Sequence, residues 1–218
     1  KALFFLTTER FTGLGEQARE QQDLAQEIVR RGHLIGNHTQ DHLQLPLLSD
    51  QLALQQITQA EDWITQVAGE RPWLVRPPGG ARSARIDSLL AERHYTTVMW
   101  NLGSGDFQVR TPEEVLETWK RVLEVRERDF GERGGIILMH DTHEWSVDAF
   151  PLIHRYLLDR NCALLEQGEE LYDIVDDPAL FFVPRADADP SSEAPPADPK
   201  AEVLEARQRK LRRATRDR

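Results

Sequence analysis

His38 and His42 stand four residues apart in the stretch Gly36-Asn37-His38-Thr39-Gln40-Asp41-His42. On a helix that spacing puts two side chains on one face, where two imidazoles can share a borderline cation such as zinc. A catalytic zinc wants a third protein ligand and an open position for water. Asp41 is close in sequence but, as an adjacent residue, points elsewhere on a helix. The same spacing also suits an imidazole that only caps or bonds locally. The position after an apolar strand, with no apolar residue between the two histidines, favours the metal. His140 closes the run Gly135-Ile136-Ile137-Leu138-Met139. A histidine leaving a buried strand is desolvated on one side, which disfavours its charged form unless a carboxylate orients and charges it. Asp106 and Asp141 are the candidates, and a structural histidine bonded to backbone is the other reading. Arg76 lies between Val75 and Pro77-Pro78-Gly79-Gly80. A guanidinium in a cleft takes a carboxylate partner and fixes its direction bidentately, the prolines stiffen the loop and the glycines let backbone approach a ligand. A tight turn closing a strand would use the same residues.

The elements that must carry these groups alternate between two periodicities. Short apolar runs predict strands over 2–6, 34–35, 73–75, 95–100, 136–139 and 163–165. Between them Ile57, Ala60, Ile64 and Val67 recur at helical spacing, as do Val115, Trp119 and Val122. Thr111-Pro112-Glu113-Glu114 reads as a helix start, with a capping Thr, Pro in the first turn and acids at the positive end of the dipole. Gly32 after Arg30-Arg31 reads as a helix stop. Strands separated by helices predict an α/β fold with a parallel sheet or barrel. In such folds functional residues gather where strands end. Asn37-His38-Thr39 follows the second predicted strand, Arg76 to Gly80 the third, Gly103 to Asp106 the fourth and His140-Asp141 the fifth.

Composition narrows the function classes. The 218 residues hold 27 Lys and Arg against 37 Asp and Glu, a net charge of −10, which argues against general nucleic-acid binding through the main body. No apolar run approaches the roughly 18 residues of a membrane span. The single cysteine, Cys162, excludes a disulfide framework and a cysteine-rich metal site, and reads as a small core residue in the last strand. The Pro-rich polar segment 184–200 reads as a linker. Residues 201–218 carry seven basic and three acidic residues and read as a basic, helical, solvated tail. His143 and Trp145 suit either an aromatic groove wall or loop packing.

Together these stretches resemble the NodB-like polysaccharide deacetylases, metal-dependent enzymes acting on N-acetylated sugar polymers. The family's histidine motif appears as His38-Thr39-Gln40-Asp41-His42, its arginine motif as Arg76-Pro77-Pro78-Gly79-Gly80, its Asp-aromatic motif as Asp106-Phe107 and its Leu-x-His motif as Leu138-Met139-His140. The likeness covers roughly residues 1–175, within a catalytic domain placed at 1–183. It implies a distorted (β/α) barrel grooved across its C-terminal face, an extracytoplasmic location and an N-acetylated glycan as partner. It implies that His38 and His42 are two of three ligands to a divalent metal (zinc, with cobalt or nickel as alternatives), and that Thr39 steadies their loop. By the same likeness His140 is the general acid, oriented by Asp106, and Arg76 holds the catalytic base. The Gly79 backbone helps stabilise the oxyanion, and Phe107 and Leu138 flank the acetyl methyl. The family's first motif, two consecutive aspartates on an earlier strand, has no counterpart here; Asp176-Asp177 lies in the wrong context. In the family one of these aspartates is the catalytic base and the other the third metal ligand, so the resemblance implies that the first βα unit is absent from this chain and that the chain as given is inactive without it. Other departures are Gly79 in place of an aromatic, Gly103 in place of an acid and Phe107 in place of Trp. A catalytically silent glycan-binding protein and a hydrolase of a non-sugar amide are the alternatives.

Overall fold

The computed structural model describes residues 1–12, 15–175 and 199–217. Contacts divide these into one unit of Lys1–Met99 and another of Trp100–Ile174 with the C-terminal helix. In the first unit β1 (Leu3–Leu6), β2 (Leu34–Asn37), β3 (Leu74–Val75) and β4 (Thr96–Thr97) form a parallel sheet in that order. Parallel neighbours need crossovers, here supplied by α1 (Glu16–Arg30), α2 (Asp50–Ala68) and α3 (Ala84–Glu92). The helical spacing of Ile57, Ala60 and Ile64 becomes the buried stripe of α2. One core cluster joins Leu45, Ala53, Ile57, Val75, Ile86, Leu90 and Tyr95, and a second joins Leu6, Phe11, Ala25, Trp63 and Ile64. Gly32, at φ 73, turns the chain out of α1 as its sequence position predicts.

In the second unit β5 (Leu102–Gly103) and β6 (Ile137–Leu138) pair in parallel, with α4 (Pro112–Phe130) between them in sequence and α5 (Glu144–Glu166) after them. Thr111 and Glu114 cap α4 reciprocally, so two donors at its start are satisfied. Trp119 and Leu123 of α4 pack with Leu102 and with Ile153, Leu157 and Leu164 of α5. The α/β reading with parallel pairing holds.

Three local expectations are corrected. Residues 163–165 are not a strand but the last turns of α5, where Leu164 packs on the Trp119 cluster; a three-residue apolar run carries no period to separate strand from helix. Cys162 accordingly sits on the exposed face of α5, outside the core. The strand expected at 95–100 pairs only at Thr96–Thr97, and Gly103 to Asp106 issue from β5 rather than from that strand. The tail segment forms α6 (Pro199–Arg216), and of the Pro-rich stretch residues 184–198 lie outside the described residues. Within the second unit Arg207 pairs with Asp173 at 2.8 Å, Gln208 bonds both backbone groups of Leu171, and Leu211 packs on the core.

Candidate active site

The histidine loop begins where β2 ends. The His38 backbone N–H donates to Leu6 O and the Arg76 N–H to Asn37 O, so both flanking strands fix the exit of β2. The rings of His38 and His42 meet edge to face, with centroids 4.9 Å apart. They do not meet on a helix: Thr39 at φ 72 and His42 at φ 56 are left-handed, and the segment is an irregular loop. Contacts from distant residues impose that path. Thr39 O and Gln40 O accept from Thr8 and Glu9, while Gln56 of α2 accepts from the Gln40 and Asp41 amides and donates to the Asp41 carboxylate at 2.6 Å. Asp41 is thereby tied to α2. Thr39 steadies the loop through its backbone, since its buried hydroxyl makes no hydrogen bond among the described residues.

The Nδ1 of His38 lies 2.6 Å from Arg76 O. A carbonyl only accepts, so Nδ1 carries the hydrogen, and in a neutral ring the lone pair then lies on Nε2. Backbone anchoring of this kind is how metal-binding imidazoles are oriented. The pair of donors thus fits two positions of a borderline cation, and among the described residues no group of three or more His, Cys, Asp or Glu could hold one.

Arg76 is buried, and burial pulls its guanidinium down to about 10, so it stays charged at neutral pH. Its Nε donates to Val98 O at 3.0 Å and its planar head lies 4.3 Å over the Phe5 ring. Gly79, at φ 61, forms the turn that follows. Phe5, read from sequence only as a strand residue, is thus a wall for Arg76. Its place depends on Gly36, its partner in register, because a Cβ there would lie 2.5 Å from the Phe5 ring. Gly36→Ala is expected to displace Phe5 and to destabilise the protein by about 1–3 kcal/mol, measured by urea unfolding. An unchanged midpoint would show that the ring accommodates the methyl.

The second unit holds the other ionisable group. Asp106, only 1% exposed, accepts the His140 Nδ1–H at Oδ1 (2.9 Å) and, at Oδ2, both the His140 backbone N–H (2.5 Å) and the Ser146 hydroxyl (2.6 Å). Burial pushes this carboxyl up, but the hydrogen bonds from His140 and Ser146 outweigh it and hold it at about 2. A carboxylate only accepts, so Nδ1 of His140 carries the hydrogen of this bond. The His140 side chain keeps 43% exposure, and the exposed Phe107 meets its ring edge to face at 5.9 Å. Leu138 lies half-buried in β6.

The partner of His140 is therefore Asp106, while Asp141 is exposed. Trp145 lies in the first turn of α5, where its ring stacks on His143 at 4.4 Å and its Nε1–H donates to Asp106 O. Ser146 and Trp145 as Asp106 donors were not legible in sequence. The one available signal was a polar residue in the first turn of the helix after His140.

Known proteins bear on this arrangement. Residues 1–98 match the polysaccharide deacetylase family model. Chitin deacetylase 1 of Saccharomyces cerevisiae is 35% identical over 141 residues, covering 60% of this chain and 43% of that protein. Peptidoglycan-N-acetylmuramic acid deacetylase PdaC of Bacillus subtilis is 30% identical over 155 residues, covering 71% of this chain and 31% of its own length. Among solved structures, a T48 deacetylase with substrate superposes with a TM-score of 0.59 at 28% identity, covering 72% of this chain and 70% of that one. A family 4 carbohydrate esterase pseudoenzyme from Bacillus anthracis shares the fold, with a TM-score of 0.60 at 21% identity over 72% of this chain and 50% of that one. Fold and matches together define the class: residues 1–98 carry the polysaccharide deacetylase family match, and the chain has the fold of the NodB-like polysaccharide deacetylases. It spans less than half the length of the curated relatives named here.

Proposed function

We propose that this chain serves the metal-dependent hydrolysis of N-linked acetyl groups from an N-acetylglucosamine-containing polysaccharide. The observation that carries the reading is the Asp106–His140 pair, a buried carboxylate that fixes a half-exposed imidazole through its Nδ1–H. Amide hydrolysis needs such a group, because an unprotonated amine is a very poor leaving group. His140 as imidazolium, its charge stabilised by Asp106, gives the Nε2 proton to the departing nitrogen. His38, oriented by Arg76 O, and His42 hold a divalent cation, zinc with cobalt or nickel as alternatives. Bound there, the cation would polarise the acetyl carbonyl and lower the pKa of a water. Arg76, following the family likeness, would orient the base that the family's first aspartate motif supplies, a motif with no counterpart in this sequence. The Gly79 backbone contributes to the oxyanion's surroundings, and Phe107 and Leu138 flank the acetyl methyl. Chitin and peptidoglycan, the polymers in the relatives' names, are cell-wall materials, which supports an extracytoplasmic place for the proposed activity. None of the described helices is long and apolar enough to cross a membrane.

The test is acetate release from N-acetylglucosamine oligomers and from peptidoglycan with zinc, cobalt and nickel in turn. Metal-dependent release supports the reading. Saccharide binding with no release under any of the three metals would overturn it in favour of a glycan-binding protein.

A further inference from the structure

We propose that Tyr95 and Glu61 are positioning residues for the His38–His42 pair, acting through Asn37 and Thr39; the inference rests on the metal role proposed above. Thr39 is β-branched and left-handed, a conformation that persists only where its surroundings enforce it. The Thr39 hydroxyl is not the restraint, since it makes no hydrogen bond among the described residues. The Thr39 N–H instead donates to Asn37 Oδ1 at 2.8 Å, an Asx-type bond that closes the turn around His38.

What holds Asn37 is a directional chain of hydrogen bonds. Asn37 is fully buried, and its Nδ2 donates to Ile57 O (2.9 Å) and to the Tyr95 hydroxyl oxygen (3.0 Å). The Tyr95 O–H donates in turn to Glu61 Oε2 at 2.8 Å. Glu61 is paired with Arg71 at 2.9 Å and Arg93 at 3.1 Å. Burial opposes its charge, but the bonds from Arg71 and Tyr95 hold its carboxyl below the usual range. An ionised carboxylate only accepts. Tyr95 must therefore spend its proton on Glu61 and can only accept from Asn37, which makes Asn37 present its NH₂ there and its Oδ1 to Thr39. Ile57 O asks for the same orientation. The charge of Glu61, on α2, is thereby transmitted to the backbone of the histidine loop. Tyr95 lies just before β4, and among the described residues its hydroxyl is the link between the carboxylate and the amide.

Tyr95→Phe removes that link while keeping the ring in the core. The control is Ile64→Val, a core truncation on the same helix that touches none of these bonds. Both full chains are measured at equal, verified folding. The expected result for Tyr95→Phe is exchange of the Thr39 amide accelerated about tenfold or more relative to strand amides of the same sheet, and zinc binding weakened about 10–100-fold in a chelator competition. Ile64→Val should change neither selectively. Thr39 exchange rising by the same factor as the strand amides, or by the same factor in both variants, would overturn the proposal. So would zinc affinity unchanged in Tyr95→Phe when the wild type binds zinc. Absence of zinc binding in the wild type would remove the metal reading alone, and Thr39 exchange would still decide the positioning role. Should Tyr95→Phe fail to fold, Glu61→Gln is read by the same two measurements and the same criteria.

Discussion

His140→Ala is expected to lower acetate release by about 10²–10⁴-fold, the range a positioned general acid contributes, with bound zinc unchanged. The split follows from how the groups are held. The His140 imidazole is fixed through Nδ1 to Asp106, which follows β5 and is itself held by Ser146 at the start of α5. His38 is fixed through Nδ1 to Arg76 O, and its partners lie in the four-stranded sheet. Removing the proton donor should therefore spare the metal, and removing a donor to the metal should not. His38→Ala is expected to lose zinc stoichiometry, and activity with it. The two variants are separated by pairing turnover with metal analysis of the same samples. Full turnover in His140→Ala would assign the proton to another group, and unchanged zinc in His38→Ala would take that residue out of the metal site.

How much of this was legible in sequence depends on whether the cause was local. The helical stripe of Ile57, Ala60 and Ile64 and the Thr111–Glu114 cap are set by neighbours three or four residues away, and both appear as read. The His38–His42 meeting was legible in outcome but not in path. A four-residue spacing suggested a helix, whereas the rings meet through left-handed residues pinned by Thr8, Glu9 and Gln56, none of which the loop's own sequence announces. The choice of Asp106 over Asp141 is likewise tertiary. Asp141 is adjacent to His140, but the carboxylate 34 residues away is the one that β5–β6 pairing brings to the ring. Phe5 behind Arg76 depends on the register of Gly36 across the sheet. Ser146 hides in a helix start and acquires its meaning only through Asp106. Residues 163–165 show the opposite failure, a local pattern too short to carry a period.

Asp106→Asn is expected to weaken folding and proton transfer together, with a pH signature that separates it from a simple packing defect. The wild-type carboxyl is held at about 2 against an ordinary 3.8. A carboxyl lowered on folding contributes stability that is fully present above its unfolded value and is lost as pH falls through its folded value. The difference is worth about 2 kcal/mol at neutral pH and disappears between about pH 4 and pH 2. An amide at this position has one accepting oxygen where three donors converge, and it carries no charge to stabilise an imidazolium. Urea unfolding should therefore show wild type ahead of Asp106→Asn by about 2 kcal/mol or more at pH 7, with the gap narrowing steadily as pH falls from 4 to 2. Acetate release at neutral pH should fall by about 10²-fold or more, because His140 loses the anion that orients and charges it. A stability gap independent of pH would mean that Asp106 is not the low-titrating carboxylate. The charge on Asp106 would then not be what stabilises the His140 imidazolium, and the proposed general acid would lose its electrostatic support.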